Sequence, residues 1–104
     1  MVSYNRETGR YEHTVYSTVI SREKEILVDR LKEAGMRVLV QSADVLLPTG
    51  RGTRYYIVVE SEDLKELEEH IKKAEEIIQE FLKEEEEKEK LAMELNKKLA
   101  KANK

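Results

Sequence analysis

LKELEEHIKKAEEIIQEFLKEEEEKEKLAMELNKKLAKA, residues 64–102, holds neither Gly nor Pro. Its heptad row reads Leu64, Leu67, Ile71, Ala74, Ile78, Phe81, Glu85, Lys88, Ala92, Leu95, Leu99, Ala102. The steps alternate three and four, the spacing of a helix that packs lengthwise against another surface. Glu, Lys, Leu and Ala dominate, and all are strong helix formers. Such a helix would span ~60 Å at 1.5 Å per residue. A compact core built by the preceding sixty or so residues is about half as wide. The row therefore has to serve two purposes. Up to Leu82 it is broad, with Ile77 beside Ile78 and Leu82 beside Phe81, and a stripe that broad covers a sheet. Near Glu84–Lys90 the apolar positions lapse. Beyond them the row is narrow, and Leu91, Ala92, Leu95, Leu99 and Ala102 form the expected interface for an oligomer or for a helical protein partner. Glu85 and Lys88, polar at seam positions, would set the register of such a pairing or mark a solvated neck.

The 104 residues of the chain obey two composition rules. Residues 1–61 carry nine Arg or Lys against eight Asp or Glu, whereas residues 62–104 carry ten against fourteen. All seven Arg fall in the first part and ten of the twelve Lys in the second. The helix-maximising tail suits a hyperthermophile protein or an engineered or sequence-redesigned one. We expect the latter, and a thermostable chain. The absence of Cys removes disulfides, thiolate chemistry and Cys-based zinc sites. The N-terminus is polar from Ser3 onward, without the pattern of a signal peptide. No apolar run approaches the ~20 residues that span a bilayer. A cytoplasmic protein with no membrane contact is the expectation.

Working back from the helix, Arg54–Glu60 is apolar on both faces, with Tyr55, Ile57 and Val59 on one and Tyr56 and Val58 on the other. It reads as a central strand. Pro48–Thr53 is the turn before it, and Met36–Gln41 is its partner, continued by Val45–Leu47 after a possible bulge at Ser42–Asp44. Ser21 is placed to cap a helix over about 22–34, ended by Gly35. Strands are expected near 2–5 and 10–20, joined by a polar turn with Gly9 late in it. Ser61 is expected to cap the long helix. The order is ββαββα, or βαββα if the first hairpin is ornamental: an α+β fold with an antiparallel sheet and helices packed on one face. Residues 1–83 are expected to be a compact domain, and residues 84–104 an overhanging helical extension of the helix that starts at about 62.

Site chemistry is sparse. In Gly50-Arg51-Gly52 a phosphate loop would need Lys-Ser/Thr and a following helix, but Thr53-Arg54 leads into a strand. Arg51 and Arg54 remain possible loop contacts. Arg and Tyr on the sheet region could stack single-stranded nucleic acid, but the region is near neutral and lacks a basic face, so nucleic acid is disfavoured. His13 and His70 lack metal-type spacing, and the Glu84–Glu87 run points several ways around a helix. Pairs such as Glu84–Lys88 and Glu86–Lys90 are expected to line a solvated face. No catalytic residue, metal or cofactor is expected, and the chain reads as non-enzymatic.

Leu31-Lys32-Glu33-Ala34-Gly35-Met36-Arg37-Val38, Ile57-Val58-Val59 and Ser61-Glu62-Asp63-Leu64 together resemble the small ferredoxin-like regulatory modules of the ACT type, across Thr14–Ile71. The resemblance implies a helix end that feeds a strand, a later strand that feeds a second helix, and effector binding between paired modules. Ser21-Arg22-Glu23 departs from the pattern, having no Gly where the first strand meets the helix, and no strand follows the second helix. No site residue is carried over from the family.

Overall fold

The computed structural model describes residues 1–102, with side chains through Ala100. The elements are β1 (Ser3–Asn5), β2 (Arg10–Thr18), α1 (Ser21–Glu33), β3 (Arg37–Leu47), β4 (Gly50–Ser61) and α2 (Leu64–Ala102). They form an α+β fold in which one four-stranded sheet, ordered β1-β2-β4-β3, is antiparallel at every pairing. β2 and β3 thus run parallel on either side of β4 and are joined through α1, a split β-α-β arrangement. β1 takes the free edge beside β2.

Each junction is closed by local hydrogen bonding. At the first hairpin the Asn5 side-chain oxygen accepts the Glu7 N–H at 2.9 Å, and the Asn5 carbonyl accepts the Gly9 N–H at 2.8 Å. Gly9 turns the chain with φ +70, which a side chain would resist. At the end of α1 the Gly35 N–H reaches the Lys32 carbonyl at 2.9 Å and the Met36 N–H reaches that of Leu31 at 3.2 Å. That is a Schellman closure. It carries Met36 into the same buried cluster as Leu31.

Several local expectations are corrected. Ser21 is the first helical residue and not a side-chain cap. The N-cap is Ile20, with no side-chain cap, and the turn before it is fixed by Thr18, whose hydroxyl accepts the Ile20 N–H at 3.0 Å and donates to Glu23 at 2.7 Å. Ser61 likewise sits too early in the chain. It accepts the Asp63 N–H, while Asp63 accepts from Lys65 through its side chain and from Leu67 through its carbonyl. The β3–β4 turn is shorter than Pro48–Thr53, since Leu47 already pairs with Gly50 and Asp44 with Thr53. Ser42–Asp44 pair regularly. The register shift lies in β2 instead, between Thr14 and Tyr16. There an extra residue, Val15, lets Tyr16 stand opposite Ile57.

Strand alternation puts Ile57 and Val59 of β4 under the helices. They pack with Leu27 and Leu31 of α1 and with Leu67, Ala74, Ile78 and Phe81 of α2. Phe81 is the bulkiest fully buried side chain of this core. We predict that Phe81→Ala costs about 3–5 kcal/mol, read from urea unfolding followed by helical circular dichroism.

Burial first, and then the Glu23 carboxylate, raise the pKa of the Tyr16 hydroxyl above its ordinary 10.0. A raised acid means that the folded state holds its proton where the unfolded state has lost it. The associated stability is complete below pH 10 and is lost as pH climbs through the folded-state value. Tyr16→Phe should therefore flatten this part of the alkaline loss of stability in melts taken above pH 10. An unchanged slope would contradict the assignment.

Candidate interaction surface

α2 is held by the body only as far as its sixth turn. Phe81 is buried, and the Arg30 guanidinium lies over its ring, 5.5 Å from the centroid. One turn on, Glu84 meets Arg30 at 2.8 Å and Glu85 meets Arg22 at 3.3 Å. Both arginines belong to α1, so the polar lapse in the seam is where α2 is tied to its neighbour. The expected Glu84–Lys88 pairing gives way to this tie, and the i,i+3 pair Glu85–Lys88, at 3.7 Å, forms instead. From Glu86 to Ala100 every residue is exposed.

The expected interface residues lie in that exposed stretch. Leu91, Leu95 and Leu99 are 66%, 58% and 55% exposed. Ala92 is exposed beside them. Ala102 lies within the helix by its backbone, and its side chain falls outside the described side chains. Met93 is also exposed, but it sits off the row. Earlier in the row Leu67, Ala74, Ile78 and Phe81 are buried in the body, Ile71 is partly buried and Leu64 is exposed.

Arg51 and Arg54 do not converge. Three residues apart in β4, they point to opposite faces of the sheet. Arg54 lies 3.5 Å from the Ser17 hydroxyl, and Arg51 is exposed opposite Leu46. The same alternation divides Tyr55 from Tyr56, and the Tyr55 ring carries the Lys24 ammonium at 4.4 Å. The face of the sheet away from the helices mixes exposed Arg37 with half-buried Arg54, Tyr56 and Glu12.

A feature missed from the sequence lies at the end of the sheet. Arg10, Arg37, Glu60, Glu62, Glu66 and His70 help line a cleft of ≈ 530 Å³. Glu60 is only 3% exposed and takes Arg10 Nη1 at 3.3 Å on one oxygen. Its other oxygen, Arg10 Nε and His70 Nδ1 are buried without hydrogen-bond partners. The one legible sign was an acid at the end of a strand otherwise apolar on both faces. Among the described residues no group of three His, Asp or Glu is placed to hold a metal ion, and no helix is long and apolar enough to cross a membrane.

Comparison of the chain with protein-family models, with curated proteins and with solved structures finds no match.

The Arg10–Glu60 pair is asymmetric, because Arg10 keeps 24% of its side chain in solvent. Arg10→Ala leaves a buried carboxylate uncompensated. It should cost about 2–3 kcal/mol, below the range for a fully enclosed pair. Glu60→Gln leaves a cation that water and Glu62 still solvate, and should cost less. Chemical denaturation of the two variants side by side checks the order.

Proposed function

We propose that this protein is a non-enzymatic association module that binds a helical partner, foremost a second copy of itself, through the end of α2. The observation that carries the reading is the row Leu91, Leu95, Leu99, more than half exposed on a helix segment that the body does not cover. In coiled coils, apolar residues at this spacing are filled by a facing helix. The α2 body nucleates the segment and removes the entropic penalty that keeps short isolated helices from forming. The row is thus presented already helical. The tail's composition also supports reading the chain as an engineered one.

Magnitudes place the association in the weak range. Each leucine has about 1–2 kcal/mol left to gain, given the exposure that remains. Three from each of two copies would contribute roughly 6–12 kcal/mol, against an association cost of about 4–15 kcal/mol. The balance corresponds to a dissociation constant on the order of micromolar or weaker, so assembly should be reversible and concentration-dependent.

Sedimentation velocity over a range from about 1 to several hundred μM tests this. We expect the sedimentation coefficient to rise with concentration for the native chain. It should stay at the monomer value for Leu95→Glu plus Leu99→Glu. Because both residues are exposed, the thermal unfolding of the variant's body should shift by no more than about 0.5 kcal/mol. A native chain that remains monomeric throughout would sink the self-association reading.

A further inference from the structure

We infer that the facing helix is α2 of a second copy in antiparallel orientation, paired about a two-fold axis between residues 93 and 94. The inference rests on the association reading above and adds the orientation and register. Charge along the exposed helix is split. Residues 84–90 carry five Glu against two Lys, and residues 91–104 carry one Glu against four Lys. A parallel, in-register pair would stack like on like. Glu85 would meet Glu85 and Lys88 would meet Lys88 inside the seam, with Glu84 beside Glu89 along its flank. Ala92 facing Ala92 would leave a gap that no leucine fills.

Reversing one helix removes each of these conflicts at a single register. Lys88 then stands opposite Leu99 of the second copy, Ala92 opposite its Leu95, and Glu85 opposite its Ala102. Every layer pairs a small or polar residue with an apolar one, and no layer holds two like charges. On one flank Glu84 approaches Lys98 of the second copy, which joins the carboxylate already held by Arg30, and Leu91 approaches Leu91. On the other flank Asn96 meets Asn96. Antiparallel pairs prefer such flanking contacts between equivalent positions, where opposite charges set orientation.

The length of the helix agrees. In this register the overlap runs from 85 to 102 on both copies, about 27 Å. Ala102 of each copy then lies beside Glu85 of the other, where the Arg22 and Arg30 ties close the seam. The two bodies lie at opposite ends of the pair. A shift of one heptad toward the bodies would set residue 102 opposite Ile78, which the body already covers.

The chain has no native cysteine, so disulfide trapping reads the orientation directly. Ala92→Cys and Leu95→Cys would be oxidised in a glutathione buffer separately and as an equal mixture, beside sedimentation of the native chain. The antiparallel pair predicts a covalent dimer in the mixture, made of one chain of each kind, and little from either variant alone. Two Ala92→Cys sites would there be offset by three residues, ~4.5 Å along the axis, and a disulfide tolerates little such offset. Efficient self-cross-linking of each variant alone would show a parallel pair and overturn the orientation while leaving association standing. Association of the native chain without any cross-link would also overturn it. A native chain that never associates would overturn the reading beneath it.

Discussion

The structure depends on how much of α2 the sheet can bury. α2 is 39 residues long in a molecule measuring 65 × 32 × 20 Å. Ile57 and Val59 supply the apolar floor, Leu27 and Leu31 the side wall, and Leu67, Ala74, Ile78 and Phe81 the roof. Phe81 is the last α2 residue in that core, and Glu84 and Glu85 just beyond it are tied to α1. Past Phe81 the helix is solvated by geometry, whatever its hydrophobicity. A helix that continues beyond its own core is held straight by its backbone hydrogen bonds and presents whatever row the heptad spacing dictates.

Polar residues mark the limits of this core and do not fill it. Arg22 and Arg30 bind Glu85 and Glu84 at one end. Arg10 binds Glu60 at the other. The two ends differ in energetic character. The pairs at the α1–α2 end are well hydrated, and exposed ion pairs contribute at most about 1 kcal/mol each. They position the helix more than they stabilise it. Glu60 is buried, so its partner matters chiefly because losing it would leave a charge in a poorly solvated place. The leucines of the tail lie past the last of these pairs and stay exposed.

Much of the fold was legible in the residues. The two-face apolar pattern of Tyr55–Val59 marked the central strand. Gly35 marked the end of α1, and Gly9 the first turn. The first hairpin proved part of the sheet, with Ser3, Tyr4 and Asn5 paired to Glu12, Tyr11 and Arg10. The errors share a cause. Ser21 and Ser61 have the residue type of caps, yet the N-cap of α1 is Ile20, without a side-chain cap, and at α2 the Asp63 carboxylate takes the Lys65 N–H. The polar step Ser42–Asp44 suggests a bulge, but those residues pair regularly and the bulge belongs to β2. There the strand must keep both Thr14–Val58 and Tyr16–Ile57 in register, a demand that comes from the partner strand and leaves no local mark.

By itself the sequence determined that α2 exists, that it is uninterrupted, and that its apolar row divides near Glu84–Lys90. Those are properties of spacing and helix propensity, which act between residues close along the chain. Only the tertiary structure decided the role of that division. Glu84 and Glu85 are bound by arginines more than fifty positions away, and such long-range partners leave no periodic trace. It also decided which apolar residues of one continuous row are core and which are surface, since burial depends on what packs against each turn: Leu67 and Phe81 lie in the shared core, whereas Leu95 and Leu99 stay exposed.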